Sequence, residues 1–538
     1  MTDSESSRLC SGCSTTLAEL DSVLKQPLIS SPTPNEILET NHPPIESQLP
    51  SIRDFISTGR ARMRVLNAKF AALRSSNCSI EALQSSIDKL LALDVEIRKH
   101  KGAISPLRRM PTEVLSLIFT STISQHGITE SAPWTVSAVC ARWRATVIYQ
   151  PRFWTFINLG YFSRSSTHYL RLEIQLQRSG ELPLAVQCSS KDTSHFGSPE
   201  LRLLRLVCEH ARRWGKLSVS GSSYLYSQIV DFVQDRLVLL QELEIEVECP
   251  AYEGNLPALD IFQDAPLLQR VVLNQKTWPY PVLGMTLPWS QLVQYGASNS
   301  WDGHLHALAS AANLVECSLE IQGSGQPPGA SILLPHLLRL SLSHPTFLEC
   351  LETPALIELY CDYAPLLLPF LRRNLCKLKT LTLSHCYKNP ADDSDLVHIV
   401  EEVPTIVNLG LLPGLSFPIE LSDTLSSRPD VAPALECIST VIGTGNDIDK
   451  DRYEHFARAI DSLWRHGRLR SVKLCPDYGF SLPTIDSIEL LRAQGLEFLI
   501  TEGDYQIFYE DVLPSQFQIN TNKDYNPHEI WYDSDDDF

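Results

Sequence analysis

Cys10 and Cys13, in "CSGC", have the spacing with which a chain grips a zinc ion, and they are the first residues here whose types could do chemistry. A closed zinc site needs four ligands, and no second Cys or His pair follows nearby, so no metal is assigned to them. The run "DIDKD", Asp447 to Asp451, opens like a calcium loop, but Arg452 stands where the sharp turn needs glycine and Arg458 where the loop needs its bidentate glutamate. His304 and His306 in "HLHAL", and the adjacent His385 and Cys386, have no acid or nucleophile placed for catalysis. Serine-hydrolase elbows, phosphate-binding loops and H-E-x-x-H helices are all missing from the sequence. The sequence thus assigns no catalytic residue, no metal and no cofactor, and it predicts a protein that is not an enzyme.

Binding is the remaining class of work, and composition narrows the partners. The 538 residues carry 45 basic and 63 acidic side chains, a net charge of −18, with no long basic stripe to attract a phosphate backbone. Nucleic acid is therefore not an expected partner. Nor is a membrane: the N-terminus "MTDSESSRLC" is polar and acidic, and the most apolar run, "APLLLPFL", falls far short of the ~20 residues that span a bilayer. Fourteen cysteines, scattered apart from Cys10 and Cys13, suit reduced thiols, so a cytoplasmic or nuclear location is expected.

Texture divides the chain. Residues 1–50 are rich in Ser, Pro and Thr and read as a disordered tail. Over residues 51–103 apolar side chains recur at helical spacing, with Met63, Leu66, Phe70 and Leu73 before the break "RSSNCS" and Ile80, Leu83, Ile87 and Leu90 after it. This predicts a helical hairpin or short coiled coil. Next comes "SPLRRMPTEVLSLIF", where Pro111 suits a first helical position and Glu113 a first turn. Val114 and Ile118 lie four apart, as do Leu115 and Phe119, so the apolar face is wide enough to meet more than one neighbour. Val136, Val139, Cys140, Trp143 and Val147 continue the helical spacing beyond a loop.

Those residues carry a resemblance. Leu107, Met110-Pro111, Glu113-Val114-Leu115, Ile118-Phe119, Val139-Cys140, Trp143-Arg144 and Phe153-Trp154 stand in the order and at the distances of the F-box, and residues 104–155 resemble that three-helix motif. Met110 replaces the usual leucine with a near-isosteric side chain, and the customary Asp-Leu start of the second helix is missing. The resemblance implies an adaptor role, in which the motif docks the adaptor subunit of a cullin-RING (SCF-type) ubiquitin ligase and the rest of the chain selects a protein substrate. The docking residues it implies are Leu107, Met110, Pro111, Leu115, Ile118, Phe119, Val139, Cys140, Trp143 and Trp154. A second reading is a non-catalytic interaction scaffold with no ligase role.

From Trp214 onward an apolar L-x-x-L-x-L frame recurs, beginning at Trp214, Leu240, Leu268, Leu292, Leu314, Leu337, Leu356, Leu378, Ile406, Leu435 and Leu469. Spacings run from 19 residues, Leu337 to Leu356, up to 34, Leu435 to Leu469. Proline stands two residues before five of these frames, as Pro266, Pro335, Pro354, Pro404 and Pro433, although only 35 of 538 residues are proline. That excess marks a repeat, each unit a proline that halts the preceding helix followed by a short strand. The units resemble degenerate leucine-rich repeats of the kind that follow fungal-type F-boxes, with the usual Asn or Cys clear only at Cys386. The expected fold is α+β: a helical hairpin, an F-box over 104–155, an α/β leucine-rich-repeat-like solenoid over 156–515 and an acidic tail over 516–538. Outward strand residues such as Glu242, Glu244, Arg270, Arg339 and Lys379 are where the unknown protein substrate would be met.

Overall fold

The structure is a computed structural model. It describes residues 33–501 apart from 76–79, 126–131, 161–166, 190–197, 222, 248–259, 276–285, 323–330, 363–364, 385–392, 443–446 and 477–485. Cys10, Cys13, His385, Cys386 and the acidic tail lie outside the described residues. The chain mixes helix and strand and divides into two compact units, Met1–Trp154 with Gln175–Gly180, and Thr155–Ile174 with Glu181–Phe538.

The first unit is helical. A short helix, α1 (Asn35–Glu39), is followed by two long ones, α2 (Leu49–Ser75) and α3 (Ile80–Ala103). Residues 33–50 are therefore not tail throughout. Arg108 fastens this stretch by donating from Nη1 to the carbonyls of Ile37, at 2.7 Å, and His42, at 3.3 Å, which satisfies backbone a free tail would leave to water. Helices α2 and α3 form a hairpin that buries Ile52, Ile56, Leu66, Leu93 and Ile97 among the described residues. Gly59 permits the close approach, since a Cβ there would sit 3.0 Å from Ile97 Cγ1. Four further helices follow: α4 (Pro106–Arg109), α5 (Thr112–Gln125), α6 (Ala132–Val139) and α7 (Ala141–Ile148).

The second unit holds one fourteen-stranded sheet, all parallel, with its strands side by side in chain order from Phe156–Asn158 to Glu497–Ile500. Each apolar frame supplies one strand. The middle frame position forms a single buried ladder in register, running from Leu217 through Leu243, Val271, Tyr295, Cys317, Leu340, Leu359, Leu381, Leu409 and Ile438 to Val472. Strands buried this regularly in a parallel sheet alternate inward apolar residues with residues of the other face.

Proline's place in the repeat differs from the expectation. The leading frame residue donates its N–H to the carbonyl three residues back, as Leu268 does to Ala265, Leu337 to Leu334, Leu356 to Thr353, Ile406 to Val403 and Leu435 to Ala432. Pro266, Pro335, Pro354, Pro404 and Pro433 are thus the second residues of tight turns, where a fixed φ near −65° is pre-set for the bend. They shape the entry to each strand, and of the five only Pro404 also follows an α-helix closely, two residues past the end of Asp393–Glu402. Beyond the turn, one carbonyl accepts from two N–H groups of the next strand, as Gln241 O does from Gln269 and Arg270, both at 3.0 Å.

The "DIDKD" stretch opens the helix Asp447–Arg465, a backbone that cannot wrap a cation as a calcium loop does. Among the described residues no helix is long and apolar enough to cross a membrane, and no group of three or more His, Cys, Asp or Glu is placed to hold a metal.

Candidate functional site

Helix α5 sorts its side chains by angle. At about 100° per residue, Leu115, Ser116 and Phe119 share one side, and Val114, Leu117 and Ile118 the other. The first three are buried, while Val114 is 40%, Leu117 63% and Ile118 41% exposed. Pro111 precedes the helix and accepts Leu115 N–H at 3.1 Å, so it caps α5 where a first helical position was expected; Glu113 lies in the first turn as expected.

The buried side of α5 completes a small core. Leu115 and Phe119 pack with Val147, Phe153 and Trp154, and Met110, Trp134, Val136, Trp143 and Ile148 close around them. Rings set the geometry: Phe119 lies 4.8 Å from Trp143 at a tilt, and Trp134 meets the Trp154 ring edge-on at 4.9 Å. Trp154 donates Nε1–H to the Val147 carbonyl at 3.0 Å, so its one polar atom is satisfied inside. The Arg178 guanidinium lies over the Trp154 ring at 4.6 Å, and burial lowers its pKa.

Several docking assignments are thereby corrected. Leu115, Phe119 and Trp154 are core residues with no surface to offer, and Met110 and Trp143 are largely engaged by that same core. Cys140 has extended backbone, at φ −160° and ψ 167°, and its Sγ accepts the Trp143 N–H at 3.4 Å. It caps α7 and splits into two helices a stretch whose apolar spacing reads as continuous. Leu107, Pro111, Ile118 and Val139 remain on the surface. Sequence reasoning missed Leu117 and Tyr149, the latter 83% exposed. The spacing of three from Val114 to Leu117 was the signal for the former; nothing in the sequence singles out Tyr149.

Arginines brace this arrangement through backbone. Arg142 donates to the carbonyls of Arg108, at 2.6 Å, and Met110, and Arg144 donates from Nε to that of Ser137 at 3.0 Å. The turn carrying Met110 and Pro111 is thus tied to α7.

In the second unit three of the expected recognition residues, Glu242, Arg270 and Arg339, are engaged in ion pairs. Glu242 pairs with Lys216 at 3.4 Å and Arg270 at 3.0 Å on its two neighbouring strands, and Arg339 bridges Glu316 and Glu358. His304 is buried, with Nε2 3.1 Å from the Glu320 carbonyl, and burial lowers its pKa to about 4, whereas His306 is exposed. The two share no site.

No family model matches the chain, and no curated protein matches it either.

Proposed function

We propose that the first unit docks the adaptor subunit of a cullin-RING ubiquitin ligase through the exposed side of α5, and that the second unit, a leucine-rich-repeat-like solenoid, holds a protein substrate. The protein is then a substrate receptor with no active site of its own, working in the cytoplasm or nucleus. The observation that carries this reading is the division of α5: Leu115 and Phe119 suffice for the local core, yet Val114, Leu117 and Ile118 present a second apolar stripe to solvent. Exposed apolar residues gathered on one helix face suit a partner's helices. The F-box resemblance of residues 104–155 names the partner, and the repeat with one strand per frame supports the receptor half.

Co-expression of the full chain with the adaptor subunit tests it. A one-to-one complex that persists through size exclusion is the expected result. A full chain that is folded but elutes apart from the adaptor would leave the interaction scaffold as the reading.

A further inference from the structure

The first unit contains a cleft of about 860 Å³ that is not lined by Val114, Leu117 or Ile118. Its walls are residues 39–43 on one side and the Arg108–Thr112 turn with Ala141 and Arg142 on the other. In a chain with net charge −18, this cleft gathers three arginines, Arg108, Arg109 and Arg142, against a single carboxylate, Glu39.

None of these arginines pairs with a carboxylate among the described residues. Arg108 gives Nη1 to the Ile37 and His42 carbonyls, and Arg142 gives Nη1 and Nη2 to those of Arg108 and Met110. A guanidinium carries five N–H donors, so Nε and Nη2 of Arg108 and Nε of Arg142 are left over. Carbonyl oxygens satisfy donors without cancelling charge. Arg109 is exposed and meets no acceptor among the described residues. Burial lowers the pKa of Arg108, a cost to its charged form that a nearby anion would relieve. Asn41 and Thr112 add neutral hydrogen-bonding side chains to the lining, while the Thr40 hydroxyl is spent on the Glu36 carbonyl.

We propose that this cleft binds a phosphate dianion, free or carried on a monoester, with Arg109 as the main charge contact and Arg108 and Arg142 as the pre-set walls. Planar guanidiniums match phosphate oxygens in pairs, and two of the three are already held in place by backbone, so only Arg109 is left to order on binding. The net charge of the whole chain opposes a long polyanion but not one dianion in a local basic cleft. Val114, Leu117 and Ile118 do not line the cleft, whereas Met110 and Pro111 do, so a titration of the chain alone, without adaptor, keeps the two readings apart.

Calorimetric titration of the full chain at low ionic strength tests the proposal, with inorganic phosphate in one arm and a short phosphoserine peptide in the other. Saturable one-to-one binding is expected, weakened about tenfold or more by Arg109→Ala, since charge-assisted bonds are the strong ones. Tighter binding of the peptide assigns the site to a phosphorylated side chain, and tighter or equal binding of inorganic phosphate assigns it to a free phosphate ligand. Arg142→Ala removes backbone bonds and is expected to lower stability as well, so Arg109→Ala, which breaks no contact, decides. Equal affinity in Arg109→Ala and the parent chain, or no saturation in the millimolar range in either arm, overturns the proposal.

Discussion

Both units are built on apolar residues at regular spacing, yet they use them differently. In the sheet each frame places its apolar residues inward: the ladder from Leu217 to Val472 has no exposed member, and rung residues such as Lys216, Glu242 and Arg270 pair on the other face. In α5 the same density of apolar residues is divided, with Leu115 and Phe119 inside and Val114, Leu117 and Ile118 outside. Strand alternation forces the two faces to differ in character, so the middle apolar residue of each frame is a buried one. A helix has no such constraint, and α5 carries apolar residues on both of its sides.

Substitutions sharpen that contrast, from large effects to small. Leu381→Asp puts an unpaired charge into the fully buried ladder and should cost more than ~4 kcal/mol, read as loss of the cooperative unfolding transition of the sheet. Phe119→Ala empties the centre of the helical core and should cost about 3–5 kcal/mol in denaturant titration. Gly410→Ala would bring a Cβ to 2.9 Å from Oγ1 of the buried Thr382, and about 1–3 kcal/mol of overpacking is expected in the same assay. Pro354→Ala frees a turn in the unfolded chain and should cost only about 0.4–1 kcal/mol. Leu117→Asp, on the exposed stripe, should move stability by no more than ~0.5 kcal/mol despite being the same kind of change as Leu381→Asp. Equal losses from the two aspartates would erase the distinction between the regions.

The sheet was the more legible part. Frames beginning at Leu240, Leu268, Leu292 and their successors coincide with its turns and strands, because a leading apolar residue, a turn and an alternating strand leave a local signature. The prolines were read as helix stops, which fits Pro404 after Asp393–Glu402 but misses the tight turn all five share, since the bond that makes each a turn residue joins groups three residues apart and is invisible in composition. In the helical unit the existence of α5 was legible from Pro111 and Glu113, but its inward side was not. Leu115 and Phe119 form one stripe and Val114 and Ile118 another, and only Val147, Phe153 and Trp154, brought in from 28 or more residues along the chain, decide which stripe is core. Cys140 could not be recognised as a cap because a cysteine seldom serves as one. Arg108's hold on Ile37 and His42 links residues 66 or more apart, so the ordering of residues 33–50 left no local trace.

The division of labour in α5 is tested most directly by measuring thermal stability and adaptor affinity together on the full chain carrying Leu117→Asp with Ile118→Asp. Such a pair lies in the range where truncating central interface residues costs 2 kcal/mol or more each, so affinity should fall by about 100-fold or more while the melting temperature stays near that of the parent. Unchanged affinity in a folded variant, or a collapse in stability that accounts for the lost binding, would contradict the account.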